Sequence, residues 1–580
     1  MTRISYITVL LISCFFVREG RAQANVVGTK VRQFVPEHIW IHTDRQLYVS
    51  GETVWFKLYN FDTQKQQLAN FSQVAYLEMT NQQGSAISRI KVGLKNGMGQ
   101  GSIELPNALP NGRYTLRAYT RAMRNLGDSA FTTISLTVLR PGQAIAKKPV
   151  DEQQSSLSTP PQASSRSVVQ SQALRIQITP AKTDFRQRSQ GVFEITTTDA
   201  NGTPIAAELS VSIALPRLDI SSIDYTIPAR VVPANTTVFL AESNGMVLEG
   251  KVINQQSKQG EAKADVYLAF PGKTALVYGG QTDEFGRFSF LLPDLYSLRQ
   301  VVIQAIAKDE VPVTIELEEE FHTFRGIDTS QFSIPLAWQD MAKAALINAQ
   351  VGNAYKAFEI APTYTTQNPF LDIPFFGKPE AQYFLDDYTR FPLPEFFFEI
   401  VPEVTVRGKF GEERLGIYND WVSPKNKRGP LLLVDGVPIF DQRSFLKINN
   451  KLIESTEVVS DPFWLNPHYY QGVIQISSFE HQAYSFVTPE TALQQSYLTL
   501  LPERNFLVPD YETQGDSQLP DFRNTLYWNA KVQTDKTGKA QLNFTTSDAI
   551  GIYEIQVLGV SKTGKKGSGS ATIRVTKQIE

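Results

Sequence analysis

Reactive and metal-binding side chains are scarce in this chain, whose 580 residues include one cysteine and five histidines. The cysteine, Cys14, lies inside the N-terminal apolar run Ile4–Val17. If that run is removed, structural disulfides, thiolate metal sites and cysteine nucleophiles are excluded together. His38, His42, His322, His468 and His481 include no pair at zinc-ligand spacing, and H-E-x-x-H is absent. Gly272-Lys273-Thr274 fails as a phosphate loop because Tyr267 stands where the upstream glycine belongs, and no G-x-S-x-G elbow occurs. A formal net charge of −2 gives no basic field for nucleic acid. After the N-terminal run, no apolar stretch approaches the roughly 20 residues that span a bilayer. His42-Thr43-Asp44 suggests catalysis, yet on an alternating strand residues 42 and 44 share a face by period two, and a surface pair is expected. Asp386-Asp387 has no third carboxylate nearby to make a calcium site. The expectation is a protein that is not an enzyme, with no cofactor and no metal.

What is present begins with a targeting signal. Arg3, the 14-residue run Ile4–Val17 and Ala22-Gln23-Ala24 read as the n-region, h-region and cleavage site of a secretory signal peptide, residues 1–24. A second reading makes Leu11-Ile12-Ser13-Cys14 a lipoprotein signal with lipidation at Cys14. Either predicts an exported chain, in the periplasm or associated with the outer membrane or cell surface.

Residues 36–139 alternate as short half-buried strands, with turns at Gln83-Gly84, Asn96-Gly97 and Asn111-Gly112, and predict an antiparallel sandwich. Residues 140–172, rich in Pro, Ser, Gln and Ala, read as a disordered linker. A second sandwich is expected over 173–243 with an insertion at 219–241, and a third over 244–320. Residues 335–400 combine a helix at Leu336–Phe358 with a strap carrying twelve Phe or Tyr between Phe358 and Ile400. Its prolines exclude a long helix or a central strand there, and its rings either pack between domains or form a recognition surface. An α/β unit at 401–482, a connector at 483–522 and a C-terminal β-domain at 523–580 follow. Gly551-Ile552-Tyr553-Glu554-Ile555 echoes Gly112-Arg113-Tyr114-Thr115-Leu116 and predicts reuse of one module. The fold class is thus mainly β: a multidomain chain of antiparallel sandwiches with one small α/β domain and one connecting helix.

Three resemblances sharpen this. The order TDRQLYVSGETVWFKLY, a strand ending near Asn81-Gln82-Gln83-Gly84, then LPNGRYTLRAYT resembles the macroglobulin-like domains of α2-macroglobulins. The Gly-Cys-Gly-Glu-Gln thioester motif of those traps is absent, so the resemblance implies the domain and not covalent trapping. MVLEGKVINQ, ADVYLAFPG, QTDEFGRFSFLLPD and RQVVIQAIAKD resemble a carboxypeptidase-regulatory-like sandwich. LLLVDGVPI, IESTEVV and GVIQISS resemble the plug of TonB-dependent outer-membrane receptors, with Leu433, Asp435, Gly436, Gly472 and Ile474 as its frame. The glycine-rich run before the last plug strand is replaced here by Phe463–Tyr470. About 100 residues follow Ser478, too few for a 22-stranded barrel at roughly 10 residues per strand. A small α/β fold with hydrophobic strands is the other reading of this stretch.

The combination resembles envelope proteins of the Bacteroidetes group. It implies a non-enzymatic binding or assembly protein that docks on an outer-membrane protein, a TonB-dependent transporter or a secretion complex. Phe463, Trp464, Tyr469 and Tyr470 are the candidate partner-binding residues. The alternatives are a stand-alone adhesin or ligand binder on a β-sandwich stalk and, third, a non-covalent protease inhibitor.

Overall fold

The computed structural model describes residues 37–144, 174–217, 239–272, 275–323, 332–355, 363–364, 374–388, 391–409, 411–418, 428–509, 511 and 519–577. The N-terminal segment with Cys14, nearly all of the expected linker and most of the expected insertion at 219–241 lie outside them.

Period-two alternation builds the first sandwich. Its strands are β1 (Glu37–Thr43), β2 (Leu47–Val49), β3 (Thr53–Asp62), β4 (Gln67–Leu68), β5 (Val74–Thr80), β6 (Ala86–Gly93), β7 (Met98–Glu104), β8 (Gly112–Thr120) and β9 (Thr132–Leu139). One layer centres on β3, which pairs with β1, β4 and β7; the other runs β2-β9-β8-β5-β6. Near the start of β8, the buried Tyr114 donates its hydroxyl to the Pro110 carbonyl at 2.9 Å. That phenol ties the strand to backbone four residues upstream.

A second sandwich starts with β10 (Arg175–Pro180), β11 (Asp184–Arg186), β12 (Gln190–Thr198) and β13 (Ala207–Ala214), and the chain leaves it unfinished. The third sandwich follows with β14 (Val247–Asn254), β15 (Asp265–Phe270), β16 (Leu276–Gln281), β17 (Arg287–Leu291), β18 (Leu298–Ile306) and β19 (Val313–Leu317). Helix α1 (Gln339–Tyr355) comes next, and its alanines Ala342, Ala345 and Ala349 pack into the core of the second sandwich. Trp338 and Met341 pack against the same core, whereas Tyr355 is exposed.

The α/β unit then assembles. It contains β20 (Ala381–Phe384), α2 (Leu393–Glu399), β21 (Val404–Arg407), β22 (Arg414–Ile417), β23 (Leu431–Val434), β24 (Val437–Pro438), α3 (Gln442–Leu446), β25 (Ile453–Val459), β26 (Phe463–Leu465), β27 (His468–Tyr470) and β28 (Val473–Ser478). Its sheet runs β20-β25-β28-β23-β24, with β23 and β28 parallel. The unit therefore begins some 20 residues before the boundary at 401, inside the expected strap. Pro392 and Pro394 do not prevent α2, because they occupy its N-cap and first turn, where no intrahelical N–H is needed. After α3, a separate 3₁₀ turn spans Asn450–Leu452.

β29 (Leu493–Leu498) lies in the expected connector but completes the third sandwich as partner of β18. The last strands, β30 (Thr525–Gln533), β31 (Lys539–Thr545), β32 (Gly551–Ser561) and β33 (Lys566–Thr576), return to the second sandwich. There β31 pairs with β12, while β30 and β32 flank β13. The stretches expected as two domains, 173–243 and 523–580, are two halves of one sandwich. Apart from β4, which has no counterpart, its sheets, β10-β12-β31 and β11-β33-β32-β13-β30, repeat the strand order of the first sandwich, down to parallel edge pairs β2-β9 and β11-β33. Tyr553 is the counterpart of Tyr114 and donates to the Ala549 carbonyl at 3.3 Å. The hairpin that joins β5 to β6 in the first sandwich is replaced in the second by residues 215–524. That insertion leaves and returns at one place: Ala214 and Thr525 are register partners, and the Leu215 N–H donates to the Asn524 carbonyl at 3.1 Å.

Neighbouring sandwiches bury one another's outer faces. Along β3, Phe56 and Leu58 enter the first core while Tyr59 and Phe61, with Trp40, meet Leu558 and Val560 of the second sandwich. Along β15, Val266, Leu268 and Phe270 enter the third core, and Tyr267 and Ala269 turn to the α/β unit. Strands buried on both faces lose polar alternation, which is why YLAF and WFKLYNF read as nearly continuous apolar runs.

Candidate interaction site

The α/β unit is set against the third sandwich by a turn and a hairpin. The turn is Asp435-Gly436 between β23 and β24; both residues have positive φ, 51° and 82°. This matches a two-residue hairpin whose twist follows the strands. Asp435 is buried, and its carboxylate accepts from the Ser478 N–H at 2.7 Å and the Ser478 hydroxyl at 2.9 Å. It thereby joins the ends of the parallel strands β23 and β28. Gly436 allows the approach of the sandwich, since a Cβ there would stand 1.9 Å from that of Ala275. Beside it, Gln304 donates to the Pro438 carbonyl at 2.7 Å, and Tyr267 packs on Phe440 with ring centres 4.6 Å apart. Leu433 and Ile474 are fully buried in the unit's core. Gly472 lets β28 pass close to β25, for a Cβ would lie 2.3 Å from the Val459 carbonyl oxygen.

The stretch Phe463–Tyr470 is the hairpin β26–β27, with pairs Phe463–Tyr470, Trp464–Tyr469 and Leu465–His468. Cross-strand pairs share a face. The inward face carries Leu465 and Tyr470, both buried, Phe463 against Phe375, and His468, whose imidazole meets the Asp265 carboxylate. The Tyr470 and Tyr267 hydroxyls lie 3.2 Å apart, and burial raises the pKa of both phenols. The turn rests on Gly279, where a Cβ would be 2.1 Å from the Asn466 carbonyl oxygen. The outward face holds Trp464 and Tyr469, 40% and 55% exposed, with ring centres 4.3 Å apart. Two of the four candidate residues, Phe463 and Tyr470, thus serve the internal junction, and two face solvent. Phe384, Tyr388, Phe398, Tyr418, Phe479 and Phe486 of the same unit are also exposed. Asp265 and Tyr267 were missed as site residues; their signal was a strand apolar at every position after Asp265.

His42 and Asp44, expected as a surface pair, are both buried where the first and second sandwiches meet. His42 Nδ1 lies 2.6 Å from the Ser210 hydroxyl, and burial, reinforced by Arg217, holds its pKa well below 6.5. Asp44 accepts from the Tyr48 hydroxyl at 2.8 Å and the Trp55 N–H at 2.9 Å, and burial raises its pKa. Period two placed them on one face correctly, but that face is covered by another domain.

Among the described residues, no group of three His, Cys, Asp or Glu side chains could hold a metal ion. In the same residues, no helix is long and apolar enough to cross a membrane. No curated protein matches the chain. Solved structures similar to it include a Salmonella alpha-2-macroglobulin reacted with methylamine, 10% identical over 93% of this chain and 40% of that one, at a TM-score of 0.24. The native conformation of the E. coli alpha-2-macroglobulin is likewise 10% identical, over 96% and 40%, also at 0.24. The Yersinia pseudotuberculosis adhesin InvE is 10% identical over 48% and 58%, at 0.14. The chain spans about two fifths of the length of these alpha-2-macroglobulins. Within the chain, residues 38–133, the first sandwich, match the family model of the MG2 domain.

Proposed function

We propose that this chain is a non-enzymatic, exported binding or assembly protein of the cell envelope, whose plug-like α/β unit docks on an outer-membrane protein. A TonB-dependent transporter or a secretion complex is the partner class. The observation that carries this reading is the hairpin β26–β27. One face is pinned to the third sandwich through Leu465, Tyr470 and His468, while Trp464 and Tyr469 are held outward on a rigid support. Rigid exposed aromatics are the side chains that supply most binding energy at protein interfaces. The MG2 match and the N-terminal signal support an exported chain of β-sandwiches.

Purification of the native protein from solubilised outer membrane tests this. A stoichiometric outer-membrane protein is expected, and Trp464→Ala with Tyr469→Ala is expected to lose it. Recovery as a lone monomer would overturn docking in favour of a free-standing ligand binder. Labelled palmitate decides whether Cys14 carries a lipid.

A further inference from the structure

We infer that docking proceeds by strand addition at β20, which receives an extended, apolar segment of the partner as the next strand of the sheet. The inference rests on the docking reading above and adds a main-chain contact to the outward pair Trp464 and Tyr469. β20 is the outermost strand of β20-β25-β28-β23-β24, paired with β25 along one edge, and no described strand pairs its other edge. Unpaired main-chain N–H and C=O groups in a row are a template for one kind of occupant, another strand.

Several other sheet edges in the chain are guarded, although β29 also lacks charge and proline. Charged residues stand in β6 (Arg89, Lys91), β19 (Glu316) and β30 (Lys531), and β24 ends in Pro438. β16 lies under the hairpin turn at Gly279. Ala381–Phe384 contains neither charge nor proline. Its side chains alternate partly buried and exposed. Gln382 and the exposed Phe384 lie on one face, where Gln382 donates to Glu457 at 3.0 Å. On the other, Tyr383 leads to Tyr388 and then Phe396, with successive ring centres 6.4 and 6.2 Å apart. An added strand lays its alternate side chains against Phe384 on one side and Tyr383–Tyr388 on the other. Apolar or aromatic residues on both faces fit it.

The test uses the full chain and the outer-membrane protein that co-purifies with it. Amide exchange across Ala381–Phe384 is expected to slow by about tenfold or more in the complex relative to the free chain. Gln382→Lys with Phe384→Lys places charge on the edge without touching the buried side of the sheet. It is expected to recover about tenfold less partner at an unchanged urea midpoint. If the variant keeps its partner, or the β20 amides gain no protection, strand addition is overturned while docking stands. If the unmodified chain yields no partner, docking falls and strand addition falls with it. Protection that grows with the concentration of the chain alone would make a second copy the occupant, and would also overturn the proposal.

Discussion

At the scale of single residues, a few positions are fixed by geometry that no other side chain satisfies. Gly436 combines a φ of 82° with the approach of Ala275. Gly436→Ala is expected to cost about 1–3 kcal/mol, the range of an overpacked contact with backbone strain added. Urea unfolding measures the cost, and faster exchange of the β15 amides would show that the α/β unit has lifted from the third sandwich. The two tyrosines recognised as an echo in sequence make one kind of bond at equivalent places. Tyr114→Phe and Tyr553→Phe should each cost about 1 kcal/mol, the usual net worth of a hydrogen bond. The Tyr553 bond is the longer, 3.3 against 2.9 Å, so its loss should be the smaller. Equal and negligible losses would show that these phenols only fill space.

At the scale of elements, the hairpin β26–β27 separates two roles that its sequence runs together. Its faces alternate, so neighbouring aromatics have unrelated duties. Leu465→Ala removes a buried side chain and should cost about 2–4 kcal/mol, detaching the hairpin from the third sandwich. Trp464→Ala with Tyr469→Ala should stay within about 0.5 kcal/mol of the parent, since exposed truncations rarely destabilise. The double substitution should nonetheless abolish recovery of the partner. Comparable destabilisation by both variants would mean that the outward pair is structural.

At the scale of the molecule, the second sandwich interrupted by residues 215–524 makes a firm prediction. Because Ala214 and Thr525 are adjacent, replacing 215–524 by a short turn like Asn81–Ser85 should leave two sandwiches that unfold cooperatively, the second less stable because α1 no longer covers its core. Ending the chain at residue 243 should not, for it removes four strands of the second sandwich. Calorimetry of both forms decides between one split sandwich and two independent ones. The junctions also respond to pH in opposite senses. At the contact of the first and third sandwiches, the buried Glu242 accepts from the Tyr76 hydroxyl at 2.9 Å, and burial raises its pKa from 4.5 to about 7. Its contribution is fully present below pH 4.5 and is lost as pH rises through about 7. His42, held neutral at the other junction, contributes above pH 6.5 and loses that contribution as pH falls through its lowered value. Glu242→Gln should therefore flatten the alkaline limb of the stability profile, while His42→Gln flattens the acid limb. An unchanged profile in either variant would show that its junction stays open to water.

The sequence alone determined what depends on near neighbours: strands from alternation, turns at Asn96-Gly97 and Asn111-Gly112, the helix near residue 340, and the class of mainly β sandwiches. It also held the repeat, since tyrosines at 114 and 553 do one local job four residues from their acceptors. Tertiary structure decided which strands share a sheet. Residues 173–243 and 523–580 each look like a small domain because alternation carries no information on the pairing partner, and only closure of β13 between β30 and β32 makes them one. It likewise decided which faces meet water. His42, Asp44 and Tyr470 look like surface or loop residues to a period-two reading, and all three are buried because a second domain covers them. The same covering left Trp464 and Tyr469 outward, and burial by a distant part of the chain is what local pattern cannot encode.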